Sequence, residues 1–282
     1  MKRLRGYIRL VRFELPLSAG VCVVMGQMFA LGTFASIPDT TLGFLSIFLL
    51  SASILVSNDY FDVETDRVNA PERPIPSGAV SPFGAFLFSI LLLVTGLLVS
   101  LFLGKTTFAI AFLLALVGFL YNRKFKKSGL PGNLMVSLSV GMTFIYGGAS
   151  VGMPFDKIAW FFGVIAGLID LGEEIAADDM DVEGDRLIRS ASLAIKRGRR
   201  YALAISASIF FLVILLTCIP FFLRWFEPVY IAPIALMDTA IAYSTVRLLQ
   251  SRDAAGRVHI RRLYLGATAG LVLFLIMRLA GF

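Results

Sequence analysis

The chain is poor in the side chains that form disulfides or bind soft metals. It has two cysteines and one histidine among 282 residues. Cys22 and Cys218 both lie inside apolar stretches, where cysteine behaves as a small buried hydrophobic residue, so we expect neither a disulfide nor a thiolate metal site. His259 lies among basic residues in a predicted loop and cannot build a histidine-based metal site alone. Any metal chemistry must therefore use oxygen ligands.

Charge is also scarce. Only 16% of the residues are charged and 57% are hydrophobic, whereas a soluble domain has about 25% charged and roughly 45–50% apolar residues. Apolar runs recur at about the 20-residue length that a helix needs to cross a bilayer. We therefore expect an all-α, polytopic membrane protein with a single domain over residues 1–282, because the polar stretches are too short to form a soluble core.

Nine membrane-spanning segments are predicted. They lie near residues 15–35, 41–58, 83–103, 106–122, 133–152, 157–177, 200–222, 228–249 and 263–281. Lysine and arginine concentrate at the N-terminus and after the even-numbered segments, and the positive-inside rule places these regions in the cytoplasm. We expect a cell-membrane protein with a cytoplasmic N-terminus and an external C-terminus. This topology explains the net charge of +7 without nucleic acid, and no protein partner is implied.

Most of the conspicuous acidic residues form two clusters, each at the cytoplasmic end of an apolar segment. Carboxylates at a membrane boundary are costly to desolvate and usually mark function. In the first cluster, Asn58, Asp62 and Asp66 are spaced i, i+4, i+8 and share one face of a helix. Carboxylates this close repel each other unless a cation binds, and oxygen ligands suit Mg²⁺, which often also binds substrate phosphates. The alternative is a solvated, charged loop.

The second cluster reaches further into its segment. Asp170, Glu174, Asp178, Asp181 and Asp185 follow each other at intervals of 4, 4, 3 and 4 residues, which predicts one continuous acidic helix face. A purely structural helix would not explain this stripe. Two such clusters facing each other could hold divalent cations, and the cations a diphosphate. Their separation by four segments hints at an internal duplication. The deeper pair, at 170 and 174, could contact an acceptor, support metal ligands or take a proton.

Cationic and amide side chains accompany both clusters. Arg67 and Arg73 belong to a segment with three prolines that follows the first cluster, and each could bind phosphate oxygens through two N–H groups or could simply set topology. Lys126 lies in a basic connection that could contact the diphosphate, anionic membrane lipid, or neither. Asn133 opens the fifth segment and could face the site or cap its helix.

These motifs resemble those of the UbiA superfamily of intramembrane prenyltransferases. The first motif is Asn58-Asp59-x-x-Asp62-x-x-x-Asp66-Arg67, followed by Pro71-x-Arg73-Pro74-x-Pro76-Ser77-Gly78. The second is Asp178-x-x-Asp181-Val182-Glu183-Gly184-Asp185. A weaker third signature comprises Leu120-Tyr121, Lys126-Lys127 and Gly132-Asn133. The resemblance covers essentially the whole chain and is closest to the archaeal branch that makes the core of ether lipids.

The resemblance implies nine transmembrane helices around a central cavity and a Mg²⁺-dependent activity at the cytoplasmic side. The enzyme would transfer a prenyl group from a polyprenyl diphosphate, such as geranylgeranyl diphosphate, to a lipophilic acceptor, which in the archaeal branch is geranylgeranylglyceryl phosphate. The implied metal ligands, which are also catalytic, are Asp62, Asp66, Asp181 and Asp185. An acid such as Glu174 or Asp170 could accept the proton that the acceptor releases, and Glu174 is counted among the candidate catalytic residues. The implied diphosphate-binding residues are Asn58, Arg67, Arg73, Lys126, Asn133 and Asp178.

The acceptor is the part of the reaction for which the residues leave alternatives open. Asp170, Glu173 and Glu14 are the candidate acceptor contacts. Glu173 stands where the archaeal branch often has arginine, and Glu14 follows Arg12 where the family often has Arg-Pro-x-Asn. A quinone-precursor ring is therefore an alternative acceptor. A cation transporter could use the same carboxylates, but the outer halves of the segments are nearly uncharged, which disfavours a path across the membrane.

Overall fold

The computed structural model describes residues 2–180, 182, 190–251 and 256–282. Within these residues the regular secondary structure is entirely helical. The α-helices in chain order are α1 Lys2–Val11, α2 Glu14–Leu31, α3 Ile37–Phe61, α4 Val63–Asn69, α5 Pro82–Leu101, α6 Lys105–Leu120, α7 Leu130–Ser150, α8 Lys157–Met180, α9 Leu193–Arg197, α10 Arg199–Thr217, α11 Ile219–Phe222, α12 Ile231–Gln250 and α13 Gly256–Leu279. A π-helical turn at Tyr121–Phe125 continues α6, and a 3-10 turn at Pro228–Tyr230 precedes α12.

Seven helical stretches in the described part of the chain are long and apolar enough to cross a membrane. They are Glu14–Leu31, Ile37–Phe61, Pro82–Leu101, Lys105–Phe125, Arg199–Phe222, Pro228–Gln250 and Gly256–Leu279. They coincide with seven of the nine predicted segments, so the prediction of an all-helical membrane protein is confirmed. The other two predicted segments correspond to α7 and α8, which have 21 and 24 residues. Helix α8 carries five acidic residues and one lysine, and α7 carries one asparagine and three serines, which lowers the hydropathy of both helices.

Helix also forms in two basic regions where none was predicted: before the first membrane segment and at the start of the last one. The basic residues before the first segment form α1, whose Leu10 and Val11 are buried. The predicted loop around His259 is wrong, because α13 begins at Gly256 and includes that histidine. Arginine is a good helix former, and the apolar residues Ile260 and Leu263 among these basic side chains are buried at helical spacing.

The chain divides into two compact units. The N-terminal unit comprises Met1–Lys124 and Met142–Gly163, and the C-terminal unit comprises Phe125–Gly141 and Val164–Phe282. The first acidic cluster therefore belongs to the N-terminal unit and the second to the C-terminal unit.

Close helix packing in the N-terminal unit depends on glycine. A Cβ atom at Gly26 would lie 2.2 Å from the carbonyl oxygen of Phe144, and one at Gly147 would lie 2.2 Å from that of Val23. Helices that meet in a bilayer use such small residues to bring their backbones together. The Tyr146 hydroxyl also forms a buried 2.6 Å hydrogen bond with the Ser46 hydroxyl. These contacts hold α2 and α3 against the second half of α7.

In the C-terminal unit, α8 is packed against two other helices. Its Gly167 lies against the backbone of α7, since a Cβ there would be 3.0 Å from the Ser137 carbonyl oxygen. On α10, the Ser206 hydroxyl donates a 2.7 Å hydrogen bond to the Gly172 carbonyl oxygen. The acidic residues of α8 are thus carried on a helix whose backbone is fixed on two sides.

Candidate active site

The first acidic motif lies on a helix that continues past the apolar segment with only a slight break. Helix α3 ends at Phe61, and α4 begins at Val63. The backbone hydrogen bonds still run from the N–H of Asp62 to the carbonyl of Asn58 at 3.0 Å, and from the N–H of Asp66 to that of Asp62 at 2.8 Å. The predicted i, i+4, i+8 spacing of these three residues is therefore present in the backbone.

A buried asparagine orients the first residue of this motif. The side-chain amide of Asn58 donates a 2.9 Å hydrogen bond to the side-chain oxygen of Asn122. Asn122 in turn donates to the Ile54 carbonyl and the Ser57 hydroxyl, both at 2.9 Å. Asn122 was not among the predicted site residues, although it directly follows Leu120-Tyr121 of the third signature. An asparagine at the end of a predicted membrane segment was the available signal.

Two arginines converge on the second residue of the motif, Asp59. This carboxylate is only 3% exposed. It accepts a short hydrogen bond from Arg12 and lies 3.8 Å from the guanidinium of Arg73. Arg12 occupies a left-handed backbone conformation with φ of 47° between α1 and α2, which brings the chain back toward α3. Neither Arg12 nor Asp59 was among the predicted site residues.

Arg73 also holds one of the predicted metal ligands. Its Nη1 donates to both carboxylate oxygens of Asp66, at 2.7 and 2.6 Å. Partial burial lowers the pKa of the Arg73 guanidinium, but the hydrogen bond to Asp66 and the charges of Asp66, Asp59 and Asp62 outweigh burial, so the pKa is raised overall. Arg73 thus stays protonated and bridges two carboxylates of the motif.

Arg67 is placed differently from Arg73. It pairs with Glu64 at 2.9 Å, and the two side chains are 59% and 77% exposed. The arginine is on α4, one turn after that glutamate, so the pair is an ordinary surface ion pair on a short helix. Arg67, which was predicted to bind the diphosphate, is therefore a solvent-exposed side chain.

The second acidic motif shares its helix face with residues that contact α7. The amide of Asn133 donates a 2.9 Å hydrogen bond to Asp178, and the Ser137 hydroxyl donates a 3.0 Å hydrogen bond to Asp170. Asp170 and Asp178 are the first and last residues of the predicted stripe that the structure describes. Both thus lie on the α7 side of α8. Asp181, Glu183 and Asp185 lie outside the described residues.

Asp179, the second residue of this motif, is buried and paired with an arginine. Arg199, at the start of α10, donates a 2.5 Å hydrogen bond to its carboxylate. The other end of the guanidinium donates to the Ser251 carbonyl after α12, at 3.0 Å. This bridge ties the end of α8 to two other helices of the unit. It was not predicted, because Arg199 looked like one of many topology-setting cations.

The basic connection that contains Lys126 is fixed by a tight turn. Gly129 has φ of +71°, and a Cβ atom there would lie 2.2 Å from the Ala191 carbonyl oxygen. The Ala191 N–H donates to the Lys127 carbonyl at 2.9 Å. The chain just after the second motif is thus held directly against the segment that carries Lys126, which lies half-buried in the same unit.

The three candidate acceptor residues lie on two helices and in different surroundings. Glu14 is exposed in the first turn of α2, and the polar contact near the N-terminus is made by Arg12 instead. Asp170 faces α7. Glu173 lines a separate cavity against α13. Glu174, the predicted proton acceptor, is half-buried on α8.

The donor set suits a hard cation, although no complete metal site is present within the described ranges. There, no group of three histidine, cysteine, aspartate or glutamate side chains is arranged to hold a metal ion. Asp62 and Asp66 offer only oxygen ligands, the type that Mg²⁺ prefers. Two of the four predicted ligands, Asp181 and Asp185, are not among the described residues, so half of the proposed set cannot contribute to this geometry.

Comparison with known proteins identifies the family. The sequence model of the UbiA prenyltransferase family matches residues 19–277. The digeranylgeranylglyceryl phosphate synthase of Methanococcus aeolicus is 33% identical over 90% of this chain and 91% of its own length. The enzyme of the same name from Natronomonas pharaonis is 34% identical, and covers 88% of each chain.

Solved structures agree with the sequence relatives. A structure of digeranylgeranylglyceryl phosphate synthase superposes with a TM-score of 0.85 at 29% identity, covering 99% of this chain and 100% of that chain. A UbiA homologue from Archaeoglobus fulgidus, bound to DMAPP and Mg²⁺, shares the fold with a TM-score of 0.77 at 17% identity, over 98% of this chain and all of that one. The chain therefore belongs to the UbiA prenyltransferase family and is an integral-membrane prenyltransferase.

Proposed function

We propose that this enzyme transfers a geranylgeranyl group from geranylgeranyl diphosphate to the free hydroxyl of geranylgeranylglyceryl phosphate, a step in ether-lipid synthesis. The observation that carries the proposal is the similarity, over nearly the whole chain, to enzymes named digeranylgeranylglyceryl phosphate synthase. The arginines and carboxylates described above supply the chemistry that a diphosphate substrate needs.

Mg²⁺ is the proposed cofactor. Asp62, Asp66, Asp181 and Asp185 are its proposed ligands, and their oxygen atoms match its preference. When bound, the ion would neutralise charge on the leaving diphosphate. The solved relative from Archaeoglobus fulgidus binds Mg²⁺ together with a prenyl diphosphate, which supports the same assignment here.

The diphosphate oxygens are the proposed partners of the cationic and amide side chains. Arg73 is already held in place by Asp59 and Asp66, so little side-chain freedom is lost when it binds a phosphate. Preorganised donors of this kind stabilise charge that develops as the diphosphate leaves. The other proposed contacts are Asn58, Arg67, Lys126, Asn133 and Asp178. We add Arg12 to this set because it converges with Arg73 on one carboxylate.

In the proposed reaction, the bond between C1 of the prenyl group and the diphosphate oxygen breaks, and the electron pair leaves with the diphosphate. The acceptor hydroxyl oxygen then bonds to C1 and loses its proton. Glu174 is the proposed proton acceptor, since it lies one helical turn from both Asp170 and Asp178 on the acidic helix. A base at this position would complete the balance of the reaction without any oxidant or reductant.

We also propose that α7 and α8 cross the membrane, giving nine spans. At about 1.5 Å per residue, their 21 and 24 residues reach roughly the 30 Å thickness of the hydrocarbon core. The distribution of lysine and arginine supports a cytoplasmic N-terminus and site, with the C-terminus outside.

The decisive experiment uses purified protein in phosphatidylcholine nanodiscs with labelled geranylgeranyl diphosphate, Mg²⁺ and separate acceptors. We expect a labelled, ultraviolet-transparent ether lipid from geranylgeranylglyceryl phosphate. A labelled, ultraviolet-absorbing product from an aromatic acceptor alone would replace the proposal with the quinone-precursor alternative. No product and no Mg²⁺-dependent release of diphosphate from any mixture would reject both. Asp62→Ala and Asp181→Ala should each abolish turnover in folded protein, and a variant that stays active would remove its residue from the metal set.

A further inference from the structure

A cavity of about 280 Å³ lies between α8 and α13 in the C-terminal unit. Its polar lining residues are Glu173 on α8 and Arg257, Arg261 and Tyr264 on α13. Apolar contacts come from Ala177, Met180 and Ile260. The spacing is i, i+4, i+7 on α8 and i, i+3, i+4, i+7 on α13, so one face of each helix forms the walls.

This cavity is separate from the acidic stripe on the same helix. Asp170 and Asp178 face α7, to which both are hydrogen-bonded. With 3.6 residues per turn, adjacent residues on a helix point about 100° apart, so Glu173 diverges from its neighbour Glu174 and faces α13 instead. Helix α8 therefore presents two different polar faces, and the predicted diphosphate chemistry uses only one of them.

The cavity is built like a site for an anionic headgroup that carries a hydroxyl. Two arginines against one glutamate give it a formal positive charge, and each guanidinium can bind two phosphate oxygens at once. The glutamate adds a hydrogen-bond acceptor, which a phosphate cannot use but a hydroxyl can. A phosphate ion alone would bind the arginines but would not donate a hydrogen bond to that carboxylate.

The cavity extends over the last two turns of α8 and the first two turns of α13. Glu173 lies seven residues before the end of α8, a distance of about 10 Å along the helix axis. Arg257 is the second residue of α13, and Tyr264 lies two turns further in with 45% of its surface exposed. Tyrosine is common at the level of lipid headgroups. Both arginines thus lie within the first two turns of α13, whereas on α8 the glutamate lies further from the helix end than Ala177 and Met180.

We propose that this cavity binds the glyceryl phosphate headgroup of a lipid, with Arg257 and Arg261 on the phosphate and Glu173 on a headgroup hydroxyl. The proposal rests on the proposed function in one respect: geranylgeranylglyceryl phosphate is the reactant that has both groups, so the cavity serves as its entry site. The same chemistry is present in anionic glycerophospholipids of the membrane, and the test separates the two sources.

The test measures binding without turnover. Protein in phosphatidylcholine nanodiscs, without Mg²⁺ or prenyl diphosphate, is titrated with a monoalkylglyceryl phosphate that has a free hydroxyl. Because charge-assisted hydrogen bonds are lost, Arg257→Ala and Arg261→Ala should each weaken binding by about ten-fold or more. Arg262→Ala is the matched control, since this exposed arginine on the same helix turn does not line the cavity, and it should stay within about two-fold.

A second probe tests the glutamate alone. Glu173→Gln should weaken binding of the hydroxyl-bearing lipid, but should leave the affinity for the corresponding deoxy lipid unchanged. A general structural defect would weaken both. In steady-state assays, the same three variants should raise the KM for the acceptor and leave the KM for the prenyl diphosphate within about two-fold, because the second substrate binds elsewhere.

Three results of the binding and kinetic assays lead to different conclusions. If phosphatidylglycerol binds with the same dependence on both arginines and the acceptor KM does not change, the occupant is a membrane lipid. If neither lipid loses more than about two-fold affinity in folded Arg257→Ala and Arg261→Ala proteins, the cavity is not a headgroup site and the inference is overturned. If the enzyme transfers prenyl groups only to a different acceptor, the proposed function fails while the binding result stands.

Discussion

Neutralising Asp59 should damage the protein far more than neutralising another carboxylate of the same motif. Asp59 is almost fully buried between Arg12 and Arg73. At the 3.8 Å separation from Arg73, an effective dielectric of about 20 gives roughly 4 kcal/mol of attraction. Desolvation offsets part of this attraction. We therefore expect Asp59→Asn to lower the free energy of unfolding by about 1.5–3 kcal/mol, the usual range for a hydrogen bond to a charged group.

The same substitution should also weaken substrate binding. Without the carboxylate, the two guanidiniums repel each other and lose the group that positions them, so the KM for the prenyl diphosphate should rise by about ten-fold or more. Equilibrium unfolding in mixed micelles and steady-state kinetics measure the two effects. Glu64→Gln is the matched control, because its ion pair with Arg67 is exposed and worth about 0–1 kcal/mol. If Asp59→Asn behaves like Glu64→Gln in both assays, the positioning role of Asp59 is refuted.

Three further outcomes follow from other contacts. Gly147→Ala should destabilise the protein by about 1–3 kcal/mol, because its new methyl group would overlap the Val23 carbonyl oxygen; unchanged unfolding would contradict this packing. Asn133→Ala removes the hydrogen bond to Asp178 and should reduce kcat/KM for the prenyl diphosphate by about ten-fold, whereas unaltered kinetics would show that Asp178 needs no positioning. Chelation of Mg²⁺ should stop prenyl transfer, and added Mg²⁺ should restore it; full activity in excess chelator would exclude the metal.

The sequence was sufficient for features that repeat along the chain. Apolar runs of about 20 residues recur along the chain, so helical membrane segments could be recognised from their hydropathy. The spacing of Asn58, Asp62 and Asp66 predicted a shared helix face, and the backbone hydrogen bonds continue through these residues. Such features depend on local periodicity, which one chain displays by itself.

Features that depend on pairing across the fold could not be read in this way. Arg12 and Asp59 are 47 residues apart in the chain, and Asn58 and Asn122 are 64 apart. One basic residue among many gives no sign of its partner, because lysines and arginines at a membrane edge are expected from topology. The helical start of α13 was missed for a related reason, since the basic residues there indicated a loop when only charge was considered.

The two acidic motifs are supported by the same kind of contact in each unit. The first residue of each motif is hydrogen-bonded to an asparagine, Asn58 to Asn122 and Asp178 to Asn133. The second residue of each is buried against an arginine from elsewhere in its unit. The flanking sequences match poorly, so the shared arrangement reflects a common physical requirement. Crowded carboxylates repel unless some are paired with a permanent charge.

Neighbouring carboxylates in each motif therefore have different roles. Asp59 and Asp179 are each paired with an arginine, so their role is to position the helices and those arginines. The paired arginines offset part of the negative charge of each motif, and in the first motif Arg73 also pairs with Asp66, which lowers the repulsion that a cation and a diphosphate must otherwise relieve. Loss of Asp59 or Asp179 should therefore appear in unfolding as well as in kinetics. Loss of Asp62 should lower kcat while the free energy of unfolding stays unchanged. This difference distinguishes a proposed metal ligand from a residue that positions the site.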